Sequence, residues 1–254
     1  MSKKHILVTN DDGIYAPGIK ALWEAMSELG HVTVVAPNRE QSAVGHAITL
    51  SDPLRVDEIN RSNGFKGFSV DGTPSDCVKI ATQALLEVEP NVIVSGINLG
   101  SNTGTNIIYS GTVSAATEGT MLKIPSVAVS LNSFESRDFA GAKKAAKTVV
   151  SHVLEKGLPE KTLLNVNVPA IPENELKGYK ITQQGNVAFR DSFEKRVDPK
   201  GRVYYWMTGQ MFDPDEEPNM DHNAVMDNFV SISPIHYRLT NHDFLDELKS
   251  WDLS

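Results

Sequence analysis

Two runs rich in β-branched residues, Ile6-Leu7-Val8-Thr9 and Val32-Thr33-Val34-Val35-Ala36, bracket a segment in which Ile19, Leu22, Trp23, Met26 and Leu29 recur at helical spacing. Pro17 stands where a first helical turn tolerates its missing N–H, and Gly30 is placed to end the helix. A strand, a helix and a strand completed this quickly form a βαβ unit, whose crossover is right-handed. The second run is apolar on both of its faces, as an interior strand of a parallel sheet must be. This unit restricts the chain to α/β architectures before any composition is considered.

The alternation continues. Thr73-Pro74-Ser75-Asp76 combines an N-cap, an N1 proline and an acidic first turn, and predicts a helix to about Glu87. Asn91 to Ser95 reads as a strand, and Gly96 to Asn106 as a loop rich in glycine and asparagine. Ser110-Gly111-Thr112 opens a small-residue helix running to about Lys123, followed by a strand at Ser126 to Ser130. A long helix is predicted from Asp138 to Lys156 with Lys143, Lys144 and Lys147 on its polar side, then a strand from Leu163 to Val168. Residues 1–170 therefore read as a Rossmann-like core, a doubly wound and mostly parallel sheet.

After Pro169 the texture changes. Tyr179-Lys180-Ile181-Thr182 and Val203-Tyr204-Tyr205-Trp206-Met207 look like strands, among charged stretches at Arg190 to Arg202 and Asp213 to Asp221. The pattern predicts C-terminal β-hairpin extensions, with residues 171–254 completing the same domain and serving oligomerisation through exposed aromatic strands. The one low-complexity tract is the short acidic Asp213-Pro214-Asp215-Glu216-Glu217.

Charge and cysteine usage narrow the function. Lys and Arg number 24 against 32 Asp and Glu, a formal net charge of −8, which disfavours long nucleic acid and anionic membrane as partners. A small phosphorylated substrate stays open, because a cation or local dipoles can reverse the field inside one cleft. Cys77 is alone, so the chain has no internal disulfide or cysteine-based zinc site and suits a reducing compartment. No stretch approaches the roughly 20 apolar residues of a membrane span. Lys3 and Lys4 precede an apolar run too short for a signal peptide, so a cytoplasmic location is expected.

Ligands of an open parallel sheet bind beyond the carboxyl ends of its strands. Three such ends carry oxygen-rich sequence: Asn10-Asp11-Asp12-Gly13, Asn38-Arg39-Glu40-Gln41-Ser42, and Ser95-Gly96-Ile97-Asn98 running on to Asn102. Adjacent carboxylates at a buried strand end repel unless a cation joins them. Asp11 and Asp12 with nearby Asn and Ser oxygens make a hard donor set that suits Mg²⁺ or Mn²⁺. In isolation, Asp-Asp-Gly could equally cap the following helix. Ser110, Gly111 and Thr112 open an Ala-rich helix and offer a phosphate site at its N-terminus.

Familiar phosphate motifs are absent: there is no G-x-x-x-x-G-K-[ST] and no G-x-G-x-x-G after the first strand. The Asp-x-Asp pattern of haloacid dehalogenases would need a carboxylate where Asn10 stands, which disfavours an aspartyl-phosphate route. His46 is the nearest candidate acid or base, although a loop histidine is more often merely hydrogen-bonded. Cys77 reads as a core residue rather than a thiolate, and Arg39 as a substrate contact or a surface ion pair. Tyr204, Tyr205 and Trp206 read as strand or subunit packing rather than base stacking.

Five motifs in order resemble the stationary-phase survival protein SurE family: Val8-Thr9-Asn10-Asp11-Asp12-Gly13, Ala36-Pro37-Asn38-Arg39-Glu40-Gln41-Ser42, Gly72-Thr73-Pro74-Ser75-Asp76-Cys77-Val78, the run from Ser95 to Gly104, and Tyr109 to Ala116. They cover residues 6–119, and the C-terminal third resembles the family more loosely. The resemblance implies a metal-dependent phosphatase for nucleoside 5′-monophosphates, with 3′-monophosphates or short polyphosphate as further substrates. It implies one Mg²⁺ or Mn²⁺ held at the positions of Asp11, Asp12, Ser42 and Asn98, and a homodimer or homotetramer with exchanged C-terminal elements. In that chemistry Asp11, Asp12 and Asn10 are the catalytic candidates, Asn10 donating to a phosphate oxygen or the nucleophilic water. Asn98, Ser110, Gly111 and Thr112 are the candidates for holding phosphate. The chain departs from the family pattern at Asn106, where Asp is common, and at Ala43, where Gly is frequent. A polyphosphatase and a non-enzymatic nucleotide-binding regulator are the competing readings.

Overall fold

The computed structural model describes residues 3–61, 64–212, 217 and 219–253. Its core is a nine-stranded sheet built from β1 (His5–Thr9), β2 (His31–Pro37), β3 (Val56–Asn60), β4 (Lys66–Val70), β5 (Val92–Leu99), β6 (Ser126–Asn132), β7 (Thr162–Pro169), β8 (Tyr179–Ile181) and β11 (Val230–His236), in the order β3-β4-β2-β1-β5-β6-β7-β11-β8. From β4 to β7 all neighbours are parallel, whereas β3 on β4 and β11 on β7 are antiparallel. The chain winds outward from β1 through β2 and returns to lay β5 on the other side of β1. The crevice between β1 and β5 is thus the switch point, where this class of sheet opens to a ligand.

Helices cover both faces. The helices α1 (Pro17–Ser27) and α4 (Ala140–Lys156) pack over Ile6, Val8, Val94 and Val129, while α2 (Pro74–Ile80) and α3 (Gly111–Met121) pack over Leu7, Val35 and Ile93. Alternate residues of β1 thereby serve opposite layers, as the period of a strand demands. The lysines of α4 lie on its outer side and pair with α1 and the segment after β7: Lys143 with Glu24 at 2.7 Å, Lys147 with Glu28 at 2.7 Å, Lys144 with Glu173 at 2.8 Å. Cys77 is buried among the apolar residues of α2, and burial pushes its thiol well above the ordinary range.

The sequence reading differs from the structure in several places. The helix opened by Thr73, with its complete capping box, ends at Ile80 and continues as a single π turn, Ala81–Leu85. There the Thr82 hydroxyl donates to the Val78 and Lys79 carbonyls, at 2.9 and 3.2 Å, and competes with the helical ladder. The long helix starts at Ala140 instead of Asp138, whose carboxylate accepts the Ala140 N–H at 2.9 Å. The strand expected at Asn91 to Ser95 extends to Leu99, so Gly96 to Leu99 belong to the sheet and not to a loop. Its register on β6 shifts between Gly96 and Asn98, leaving Ile97 buried and Asn98 paired with Ser130. Such bulges re-aim side chains beside active sites.

Beyond Pro169, the charged stretch around Arg190 to Arg202 is mostly half of a hairpin. β9 (Ala188–Val197) pairs antiparallel with β10 (Val203–Phe212) from Val203↔Val197 to Phe212↔Ala188. This ribbon forms its own two-stranded sheet, with Phe193, Tyr204, Tyr205 and Trp206 exposed. Two short helices, α5 (Asp221–Met226) and α6 (Leu245–Lys249), complete the described elements. Of the acidic tract at residues 213–217, only Glu217 lies among the described residues. None of the described helices is long and apolar enough to cross a membrane.

Candidate active site

The chain leaves β1 through Asn10, whose side-chain amide donates to the Gly13 carbonyl at 3.0 Å and closes a turn before α1. The turn holds Asp11 almost fully buried. Its carboxylate takes the Thr112 hydroxyl on Oδ1 and a further hydrogen bond from the Thr112 backbone, while its own carbonyl accepts the Gln41 N–H at 2.7 Å. The first turn of α3 lies directly against it: a Cβ on Gly111 would stand 2.7 Å from Asp11 Cβ and 2.9 Å from Oδ2. Only glycine permits that approach.

Both aspartates feel their burial. Desolvation raises the Asp11 carboxyl, opposed by the Thr112 hydrogen bonds. Asp12 is pushed up to about 6, first by burial and then by the Asp11 charge, against a hydrogen bond from Leu99 and the field of Arg137. These carboxylates are held ready to be ionised by a cation and disfavoured without one.

Asn98, at the bulged end of β5, donates its amide hydrogens to the Leu99 and Gly100 carbonyls at 3.3 and 2.7 Å, which leaves Oδ1 as the available acceptor. Ser42 donates its hydroxyl to Glu40 at 2.6 Å, which frees the oxygen lone pairs for another partner. Beside it, Ala43 has φ of 56°, the left-handed region where glycine costs least, which accounts for the glycine frequent at this position in the resembled family. Asn106 lies in a 3₁₀ turn, Gly104–Ile108, and its amide reaches Met211 Sδ at 3.8 Å.

These parts meet at a cleft of about 330 Å³. Asp11, Ser42, Asn98 and Ser110 line it; Asn10, Asp12, Gly111 and Thr112 are adjacent to those residues in sequence and do not form its wall. Thr112 spends its hydroxyl on Asp11, and Ser110 accepts the Val113 N–H at 3.1 Å as the N-cap of α3. A second cavity of about 230 Å³, between Lys123 and Lys161, opens where β6 and β7 begin, at the opposite edge from the strand ends that gather the polar groups.

The cleft has walls that the sequence reading did not supply. Asn132, which ends β6, and Ser133 and Phe134, which follow it, would have been reached by the strand-end rule had it been applied to that strand. Met211 of β10 and His222 of α5 also line it, and no local signal marks either. Beneath the loop after β5, Asn102 is held by neutral side chains. Its N–H donates to Asn167 Oδ1 at 2.7 Å, its carbonyl accepts from Asn165 and Asn167 at 2.8 and 3.1 Å, and its side chain donates to Ser130 at 2.8 Å. The buried Asp221 carboxylate fastens the next turn by accepting the N–H groups of Gly104 and Gly185 at 2.9 and 3.1 Å.

A hard divalent cation fits this donor set. No three His, Cys, Asp or Glu side chains converge among the described residues, so a cation here would rest on two carboxylates and neutral oxygens. Asn10 Oδ1, buried next to the aspartates, accepts no hydrogen bond. An orphaned acceptor beside two disfavoured carboxylates calls for positive charge.

The chain has clear relatives. The family model described as survival protein SurE matches residues 6–191. A 5′-nucleotidase SurE of Syntrophobacter fumaroxidans is 47% identical over 98% of this chain and 99% of its own length. Another, of Pelotomaculum thermopropionicum, is 49% identical over 96% and 93%. The crystal structure of the Sure protein from Aquifex aeolicus matches with a TM-score of 0.84 at 42% identity, covering 96% of this chain and 98% of that one. With the motifs of the cleft inside the matched span and relatives alike from end to end, the chain belongs to the survival protein SurE family.

Proposed function

We infer that this protein is a 5′-nucleotidase, a metal-dependent phosphatase that hydrolyses nucleoside 5′-monophosphates to nucleoside and phosphate. Relatives matching over nearly their whole length are named for that activity. The observation that carries the reading is the meeting of Asp11, Asn98 and the start of α3 in one cleft at the sheet's switch point.

Asp11, Asp12, Ser42 and Asn98 are the residues we assign to one Mg²⁺ or Mn²⁺. When bound, that ion neutralises phosphate charge and lowers the pKa of a bound water. The remaining work falls to the chain. Thr112 fixes the Asp11 carboxylate by hydrogen bonding. Asn10 sets the β1 turn through Gly13 and keeps Oδ1 available to orient a nucleophilic water. The Ser110 hydroxyl hydrogen and the Gly111 N–H are assigned to the phosphoryl oxygens, with the positive end of α3 behind them. Asn98, expected from sequence to hold phosphate as well, spends its amide hydrogens on Leu99 and Gly100 and keeps only Oδ1, for the metal.

The test is phosphate release from nucleoside 5′- and 3′-monophosphates and short polyphosphate, each with Mg²⁺, Mn²⁺ or chelator. Release from 5′-monophosphates that chelator abolishes is expected. Fastest release from polyphosphate would make the protein a polyphosphatase, and nucleotide binding without turnover under any metal would make it a regulator.

Residues 171–254 serve assembly in this reading, as a region that completes the domain of residues 1–170. The exposed aromatic ribbon β9–β10 supports a homodimer or homotetramer with exchanged C-terminal elements. Replacing 189–211 by a short Gly-Ser turn is expected to lower the light-scattering mass by at least half, and an unchanged mass would refute that role. A cytoplasmic site of action agrees with the single buried Cys77.

A further inference from the structure

We propose that His46 is a positioning residue that fixes the loop carrying Ser42, and through it the metal affinity of the site; this rests on the assignment of Ser42 as a metal ligand. Between β2, ending at Pro37, and β3, starting at Val56, the chain has no helix or strand, yet Ser42 and Ala43 on that stretch form one wall of the cleft. An irregular segment of this length keeps one shape only where it is tied down. Next to the cleft the ties are backbone bonds, from Gln41 N–H to the Asp11 carbonyl at 2.7 Å and from Gly45 N–H to the Tyr109 carbonyl at 3.0 Å.

Farther along, two carboxylates reach the loop from the helices below. Asp76 of α2 accepts the Thr49 N–H and hydroxyl at 3.0 and 2.6 Å. Glu118 of α3 accepts His46 Nε2–H on one oxygen at 2.8 Å and the Lys79 ammonium on the other at 2.7 Å. Glu118 is buried and lies outside the cleft wall. Burial raises its carboxyl, but the hydrogen bonds from His46 and Lys79 outweigh that and hold it below the ordinary range, so it stays charged and His46 must donate. Burying a charge is costly, and this one offsets its cost by joining three elements at one point: the Ser42 loop, α2 and α3. Of the two side chains that meet this carboxylate, His46 is the one on the loop, and it follows directly on Gly45, whose backbone bond seats the loop beside Ser110. The histidine that sequence marks as a candidate acid or base thus points away from the chemistry and acts on it through Ser42.

The readout is Mn²⁺ binding to the full-length protein, by the paramagnetic resonance signal of free Mn²⁺, alongside turnover. In His46→Ala, the Kd for Mn²⁺ is expected to rise about tenfold, the scale seen when an outer partner of a metal site is removed. Turnover at saturating Mn²⁺ should stay within about twofold. His46→Gln, whose amide can still donate to Glu118, should recover most of the affinity. Lys79→Met removes the other partner of the same carboxylate without touching the loop and should leave the Kd within about twofold. A wild-type Kd in His46→Ala, no recovery in His46→Gln, or equal weakening in Lys79→Met would overturn the proposal. Wild-type protein that binds no Mn²⁺ would remove the metal reading, and the proposal with it.

Discussion

Replacing Asp12 by Asn is expected to abolish metal-dependent phosphate release and, above pH 7, to stabilise the metal-free protein. The Asp12 carboxyl sits at about 6 in the fold, against an ordinary 3.8, because burial and Asp11 oppose its ionisation. Its folded pKa is therefore raised, so the native state binds more protons than the unfolded chain between those two values. Stability falls as pH rises through that window, and the deficit is fully present above it. Two pK units correspond to about 3 kcal/mol as an upper figure. Asn removes the charge and with it most of that cost. Thermal melts in chelator should place the variant above wild type at pH 8, above it by about half as much at pH 5, and close to it only at or below pH 3.8. Saturating Mg²⁺ should reverse the order at pH 8, since ligand binding to the native state stabilises only the chain that binds it. Turnover should drop on the order of 10³-fold, the scale for losing a group that meets developing charge. A variant that melts below wild type at pH 8 in chelator would refute the electrostatic account. One that keeps its turnover would refute the site.

Gly111→Ala is expected to damage activity far more than one added methyl suggests. The new Cβ would meet Asp11 at 2.7 and 2.9 Å, and Asp11 has nowhere to retreat because it is buried and bonded to Thr112. Either α3 or the β1 turn must shift, which overpacks the crevice at about 1–3 kcal/mol of stability. Displacing the aspartate by a fraction of an ångström from its partners should cost about 10²-fold in kcat/KM. Gly157→Ala is the control for mere loss of a glycine, since open space surrounds Gly157 although its φ is 72°. Activity of Gly111→Ala within a few-fold of wild type would show that the close approach is incidental.

Much of the architecture was legible because its signals are local. The β-branched runs at Ile6 and Val32, the capping box at Thr73 and the N-cap at Ser110 each settle an element within a few residues. The site was legible to the extent that it sits at strand ends: Asp11, Ser42, Asn98 and Ser110 converge from four separate motifs. What was not legible depends on pairing between distant segments. β3, with Asp57, Glu58 and Asn60, lacks an apolar run and exists because β4 pairs with it. β11 carries Pro234, which ordinarily demotes a strand, but β8 pairs only its first residues, Val230 to Ile232. The strand character of Gly96 to Leu99 comes from β6 across a register shift, against a local composition that reads as loop. The partner of His46 lies 72 positions away on another element, beyond the reach of any spacing rule.

The two walls of the cleft are held by different physics. On the Asn98 side, the backbone of Asn102 is gripped by amides and a hydroxyl that carry no charge at any ordinary pH. On the Ser42 side, the loop hangs on two carboxylates, one of them shared with an imidazole and an ammonium. Ionic strength and proton concentration therefore act along the whole Ser42 loop, and on the Asn98 side only past Asn102, where the buried Asp221 carboxylate holds Gly104. The grip on Asn102 is a fixed anvil, and the charged Ser42 wall is the part of this pocket that cellular conditions can loosen.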